Sequence, residues 1–479
     1  MRLPRVLSAL KWSVGAELAS RAVQPLVFVV LARLLVPADF GVVAAAAMVI
    51  SFSQIFWEAG MAKAIVQRQN DVESAANAAF WLNIGLGLVV AGALFVAAPV
   101  IARMIFDDLR VTAVLQVMTV QVVLGSLTPV HTALLQKSLE FNRIFWVRLT
   151  TVAVPGLASI PLALWGLTYW ALVAGTLVGA AGQVFILWRV SSWRPQLSFD
   201  PRLAIEILRF GFWVSLSGLL AWFYLWADSF VVGFYLGQHE LGLYRTGSQF
   251  VTLVFGLIFA PLLPVLYSHF SSMAKDQARI AAALGKVMRL VALIAIPLAF
   301  GIFTFADQAA AIVFGPKWDG IGLVIGVIAL MQGFSWVIGV NGEAYRALGR
   351  PAYETAVMSS VLLIYLAGYL IGIQHGFESF IWTRLVVGLV GVAFQLYFCH
   401  RLLELDATGV VRMIVLATIG GLAFYSGHGA LFRWAIETWM QASILFCCVV
   451  VVVAVALAPQ VRGGAAEFAR LMRHGKAPA

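Results

Sequence analysis

Apolar residues in this chain run on in long blocks, each closed by a short polar or basic connector, with no sustained strand-type alternation. Crossing ~30 Å of hydrocarbon takes about 20 mostly apolar residues. A lone segment there must satisfy its own backbone groups, which a helix does. Fourteen blocks are long enough, at about 12–35, 41–57, 78–102, 111–136, 149–166, 167–188, 210–236, 246–268, 288–306, 320–342, 355–373, 377–400, 410–428 and 439–459. The pattern predicts an all-α polytopic membrane protein of about fourteen transmembrane helices. No connector is long enough to hold a domain; the largest, near 189–209 and 269–289, read as short amphipathic segments. Residues 1–11 are basic and lead straight into the first block without a small-residue cleavage pattern, which predicts an uncleaved first span. Beyond Gly464, the residues Glu467, Phe468, Arg470, Leu471 and Arg473 fit either a basic surface helix or a solvated tail.

Composition agrees with this and excludes a soluble fold. Of 479 residues, 62% are hydrophobic and 11% charged, with mean hydropathy +0.94, where soluble domains carry roughly 25% charged residues. A net charge of +10 could suggest nucleic acid, but the basic residues sit between the apolar blocks and form no contiguous patch. Their distribution instead sets an orientation. With both termini inside, cytoplasmic segments hold twenty-four of the thirty-two Lys and Arg, among them Lys63, Arg68, Arg202, Arg209, Arg346 and Arg350. The outside segments hold six, Arg33, Arg103, Arg110, Arg245, Lys317 and Arg433, while Arg21 and Arg384 fall within blocks. An excess of this kind, sustained loop after loop, is the positive-inside signature. Cys399, Cys447 and Cys448 lie in or beside apolar runs, with neither metal spacing nor a disulfide framework.

Two turns resemble each other at an offset of 201. Leu35-Val36-Pro37-Ala38-Asp39-Phe40-Gly41 closes the first block, and Leu236-Gly237-Gln238-His239-Glu240-Leu241-Gly242 closes the seventh; Trp12 and Trp213 share the offset. The turns open equivalent six-helix blocks, which predicts two pseudo-symmetric lobes over 1–195 and 196–404, with two extra helices and a cytoplasmic tail over 405–479. Paired bundles of like orientation suit alternating access.

The first of these turns, extended to Leu31-Ala32-Arg33-Leu34 upstream, resembles the first-loop motif of bacterial polysaccharide transporters. Glu58-Ala59-Gly60-Met61-Ala62-Lys63-Ala64-Ile65-Val66-Gln67-Arg68 is similar to the motif after their second helix. Leu236-Gly237 with Leu241-Gly242-Leu243-Tyr244, and Ala347-Leu348-Gly349-Arg350-Pro351, resemble the turns after their seventh and tenth. As a set these motifs resemble the polysaccharide transporter family of the multidrug/oligosaccharidyl-lipid/polysaccharide exporter superfamily. The resemblance implies a flippase for undecaprenyl-pyrophosphate-linked oligosaccharide, serving O-antigen, capsule or exopolysaccharide assembly in the cell inner membrane, beside a polysaccharide polymerase and chain-length machinery. It implies no cofactor, no enzymatic activity and no nucleic-acid partner. Relatives often carry a polar or basic residue before Leu236, where this chain has Phe234-Tyr235.

Such a substrate asks for a wet, cationic cavity for its head and access to lipid for its tail, and ionisable residues within spans usually face such cavities. Glu17 and Arg21 lie one turn apart, either as a structural ion pair or with Arg21 on the pyrophosphate and Glu17 restraining it or exchanging a proton. Asp228 has no charged neighbour within a helical turn, and it reads as an ion-coupling site or as the buried partner of a distant basic residue. Arg384 either snorkels outward or binds phosphate. Glu343, Arg346 and Arg350 are interfacial charges or a cytoplasmic gate. Most tryptophans, Trp57, Trp165, Trp170, Trp188 and Trp193 included, fit interfacial belts, while Trp222 and Trp226, beside Asp228, are candidates for sugar contact. No phosphate-cradling Gly loop, metal-spaced His cluster or Ser-His-Asp set is present. Two other functions fit a membrane bundle. An exporter of amphipathic cations would have an acid-rich cavity without arginine, and a membrane-bound ligase or polymerase would carry a large outside loop.

Overall fold

The computed structural model describes residues 24–58, 60–68 and 70–433. No strand occurs among the described residues. They contain eleven helices long and apolar enough to cross a membrane, or twelve when one bent pair counts as a single span. Each expected span from the second to the thirteenth coincides with one of these. The described part of the first is α1 (Gln24–Leu34); the fourteenth lies outside the described residues.

The next helices are α2 (Pro37–Glu58), α3 (Met61–Gln67), α4 (Val72–Ile101), α5 (Leu109–Ser126), α6 (Pro129–Lys137), α7 (Phe141–Leu164) and α8 (Thr168–Val190). Then come α9 (Pro201–Tyr235), α10 (Gln238–Phe259), α11 (Leu262–Ser271), α12 (Gln277–Thr304) and α13 (Ala306–Val313). The last are α14 (Ile321–Gly339), α15 (Asn341–Ala347), α16 (Pro351–Gly372), α17 (Phe377–Leu403) and α18 (Ala407–Arg433). Two expected spans differ in shape. The eighth is split into α10 and α11, bent by 46° at Pro261, whose ring cannot continue the preceding helix without strain. The seventh, α9, begins nine residues earlier than its apolar block, because Asp200 caps its first turn by accepting from the Arg202 and Leu203 amides.

The chain forms two compact units. The first holds the chain up to Thr246 together with Ala311–Asp319, and the second holds Gly247–Ala310 and the chain from Gly320. In the first, α7 lies along α8, α4 along α5, and α2 packs on α5, α8 and α9. Small residues let these backbones approach: Ala75, Ala76, Ala78 and Ala79 on α4 are wholly buried, and Gly87 faces Ser126 on α5. In the second unit α14 is the buried axis, packed by α12 and α17, with α18 against α12 and α16 against α17.

The two repeat-related turns meet in the first unit. A Cβ added to Gly41 would overlap the Gln238 carbonyl, and one added to Gly242 would overlap the Pro37 carbonyl. Each glycine thus presses on the residue equivalent to its partner's own Pro or Gln under the offset of 201, so the contact is reciprocal. The same corner is closed by Ala311–Asp319. At the end of α1, the Ala32 carbonyl accepts from Trp318 Nε1 at 2.7 Å and the Leu34 carbonyl from Lys317 Nζ at 3.3 Å. At the end of α13, Arg33 donates back to the Val313 carbonyl at 2.8 Å through Nε and to the Ile312 carbonyl through Nη2. Each helix end therefore caps the other. Phe28, Phe40, Phe314 and Trp318 close the space between them edge to face, with centroids 5.3–6.3 Å apart.

Gly41→Ala and Gly242→Ala should each destabilise the fold by about 1–3 kcal/mol, since a backbone carbonyl must move to admit the methyl group. Gly85→Ala, with no atom near its added Cβ, should leave the thermal midpoint of the detergent-purified protein unchanged or raised. Trp318→Phe keeps the ring but strands the Ala32 carbonyl, and should cost about 1 kcal/mol in the same melt.

Candidate functional site

In the first unit α9 carries three of the expected residues, and the structure joins them to α2 and to the start of α10. Asp228 is 8% exposed. Its Oδ2 accepts from the Tyr244 hydroxyl at 2.7 Å, and its Oδ1 accepts from the Ser229 amide at 2.6 Å and the Ser229 hydroxyl at 3.2 Å. Arg245 follows Tyr244 on α10, and its guanidinium stands 3.9 Å from the centre of the Trp226 ring and within charge-interaction range of Asp228. The acid that stands alone in sequence is thus held by hydroxyl donors beside a cation from the next helix. Trp222, one turn before Trp226, donates from Nε1 to Ser51 Oγ at 3.0 Å and meets Phe52 edge-on at 4.9 Å.

Arg245 is absent from the residues that sequence singled out. Its block begins on paper at 246, whereas α10 begins at Gln238, so a residue read as part of an outside loop lies two turns inside a helix. A signal did exist: Arg245 is one of the six basic residues on the side that the charge asymmetry leaves nearly free of them.

The second unit holds Arg384. This residue lies on α17 with its guanidinium 5.0 Å from the Tyr369 ring and 5.6 Å from the Tyr365 ring, both on α16. Gly391, one face of α17, admits the Tyr365 hydroxyl, which any larger residue would push away. Cation–aromatic contact of this kind is worth more when partly desolvated.

Of the three residues expected at a gate, the structure unites two. Arg346 pairs with Glu343 at 3.2 Å and with Glu354 at 3.0 Å, and also donates to the Gly342 carbonyl at 3.2 Å. Glu343 is buried, so it is not a simple interfacial charge. Arg350 points elsewhere, donating to Gln277 Oε1 at 3.2 Å and covering the Tyr353 ring. Glu354, the acid that completes the cluster, lies on α16 across the turn and was not singled out. Glu17 and Arg21 lie outside the described residues.

Of the tryptophans read as interfacial belt, Trp57 is a core residue instead, and Trp188 and Trp193 are half-buried against the core. Trp57 is buried, with its ring over Gly125. Trp188 and Trp193 pack with Phe80 around the fully buried His131, at 5.2 Å each from its ring. These span ends fold onto α3 and α6, so the rings meet protein before they meet lipid. Among the described residues no group of three His, Cys, Asp or Glu side chains is placed to hold a metal ion.

Fold and site together define a multi-pass helical membrane protein with half-buried arginines resting on aromatic faces. The same fold occurs in the solved structure titled "Lipid II flippase MurJ, inward closed conformation", with a TM-score of 0.77 and 14% identity, covering 94% of this chain and 100% of that one. Residues 30–322 match the family described as polysaccharide biosynthesis protein, and the chain belongs to that family. A succinoglycan biosynthesis transport protein of Rhizobium meliloti (strain 1021), ExoT, is 26% identical over 322 residues, 67% of this chain and 65% of that protein. The teichuronic acid biosynthesis protein TuaB of Bacillus subtilis (strain 168) is 22% identical over 429 residues, 88% of each.

Tyr244→Phe removes a donor from a buried carboxylate and should lower stability by about 1–3 kcal/mol. Urea or thermal unfolding of the purified protein reads this directly, and an unchanged midpoint would show that Asp228 does not depend on that bond.

Proposed function

We propose that this protein is a flippase that moves undecaprenyl-pyrophosphate-linked oligosaccharide units from the cytoplasmic to the periplasmic leaflet of the inner membrane. Family membership and relatives named for polysaccharide assembly and transport support the reading. The observation that carries it is chemical: each compact unit holds an arginine against aromatic rings, Arg245 on Trp226 and Arg384 on Tyr365 and Tyr369. A pyrophosphate seeks a guanidinium, which binds phosphate oxygens in pairs, and sugar rings lie well on aromatic faces. An exporter of cations would place acids, not arginines, at such positions.

On this reading Arg21, Arg245 and Arg384 are each a contact for the pyrophosphate, and Trp222 and Trp226 are contacts for the sugars. Asp228, held by Tyr244 and beside Arg245, and Glu17 couple an ion to the step. The Glu343–Arg346–Glu354 cluster, with Arg350 nearby, forms the cytoplasmic gate. The two six-helix repeats, 1–195 and 196–404, work by alternating access with 405–479 appended, and both termini are cytoplasmic. No nucleotide motif is present in the sequence, so an ion gradient or removal of product by a downstream polymerase supplies the energy.

Reconstitution in liposomes with polyprenyl-pyrophosphate oligosaccharide tests this. Arg245→Gln and Arg384→Gln should each slow translocation about tenfold or more, the scale of one lost charge-assisted hydrogen bond. Arg21→Ala should do likewise. Asp228→Asn should abolish the dependence of rate on an imposed pH gradient while leaving downhill exchange. Wild-type protein that moves a cationic dye and no lipid-linked glycan would overturn the reading in favour of the exporter.

A further inference from the structure

The first turns of α9 carry a surface that transport does not use. At 1.5 Å per residue its 35 residues span about 52 Å, against ~30 Å of hydrocarbon. Several turns therefore stand at the head-group level, and Pro201–Phe212, which precedes and enters the apolar block, belongs there. One face of this segment is filled: Ala204 and Ile207 are buried, and Ile207 joins the core of Met61 and Ile65 on α3. The opposite face repeats at i, i+3, i+4 and i+7 as Ile205, Leu208, Arg209 and Phe212, and these four line an open hollow of about 640 Å³. Ile205 is 67% and Phe212 64% exposed.

A solvated helix face would be polar, and a plain lipid-facing one would lack the charge. Here a guanidinium stands within an apolar stripe, and Arg209 has no hydrogen-bond or ion-pair partner among the described residues. On the other side of the helix a second hollow of about 320 Å³ is lined by Gln67, Arg68, Asn70 and Glu206 among others. Arg68 there is already matched by Glu206 at 3.2 Å, and Asp200 is occupied in capping the helix, which leaves Arg209 and the exposed Arg202 uncompensated. A positive charge set within an apolar track matches one ligand chemistry: a phosphodiester head with an acyl chain.

We propose that this face is a docking site for an anionic phospholipid of the bilayer, its phosphate on Arg209 and its acyl chain along Ile205, Leu208 and Phe212. The site is independent of the glycan substrate and would anchor the long helix at the basic end of the first unit. The test uses the full chain in neutral detergent, melted with added phosphatidylglycerol or phosphatidylcholine, with bound lipid counted by native mass spectrometry. Phosphatidylglycerol should raise the midpoint more than phosphatidylcholine does. Arg209→Gln should lose at least half of that difference and one retained lipid, while Arg209→Lys keeps most of it. Without lipid the three proteins should melt alike, since Arg209 is exposed and has no hydrogen-bond or ion-pair partner among the described residues. Equal effects of the two lipids, or full protection of Arg209→Gln, would overturn the proposal. Protection through Arg209 by polyprenyl phosphate but not by phosphatidylglycerol would overturn it too, and would assign the face to the substrate.

Discussion

Helix ends are the weak points of any bundle buried away from water, because each leaves its last carbonyls without a partner. At the corner between α1 and α2 this chain meets the problem by exchange. Arg33 at the end of α1 serves the carbonyls of α13, and Lys317 and Trp318 beyond α13 serve those of α1. The arrangement fixes where α2 begins, and the glycine contact then fixes α10 against it, Gly41 to Gln238 and Gly242 to Pro37. With the start of α10 set, Tyr244 and Arg245 must arrive beside Asp228 and Trp226. The polar cluster on α9 is in this sense a consequence of how two turns fit together.

The same corner accounts for residues that seem to defy the charge asymmetry. Six basic residues sit on the side that should have few. Arg33 and Lys317 are the two reciprocal caps. Arg110 grips Asp108 through two guanidinium nitrogens, the shorter bond at 2.7 Å, and Arg245 lies on Trp226. Each of these four is tied to a specific partner, so the orientation rule and these exceptions to it have separate physical origins. The rule reflects insertion, while the violations reflect capping and site chemistry.

Much of the fold could be read from the chain because its strongest signal is length of apolar run, which the bilayer sets directly. Helices from the second expected span to the thirteenth are where that signal places them. The likeness of the two seven-residue turns was visible as well, and the glycine of each touches the other turn. What sequence could not supply was anything decided between helices. Asp228 looks isolated because Tyr244 and Arg245 reach it from another helix, sixteen and seventeen residues on. Glu354 joins Arg346 across a turn, and no spacing rule pairs residues eight apart. Trp57, Trp188 and Trp193 look interfacial because they lie at span ends, but Trp57 is buried against α5, and α3 and α6 half-bury Trp188 and Trp193. The hydrophobic run fixes where a helix may lie in depth, and says nothing of which neighbour will cover it.

A cation destined to hold and then release a phosphate faces conflicting demands in a membrane. Left bare it is costly to bury, and paired tightly with a carboxylate it has its donors occupied. Resting the guanidinium on an aromatic face eases the first demand, because the ring's quadrupole steadies the charge. Arg384 against Tyr365 and Tyr369, and Arg245 against Trp226, share this geometry. Arg346, clamped by Glu343 and Glu354, does not. On the proposed function this difference separates roles: the arginines on rings meet an anionic head group, and the arginine between carboxylates is a structural tie that must be broken before its surroundings can move.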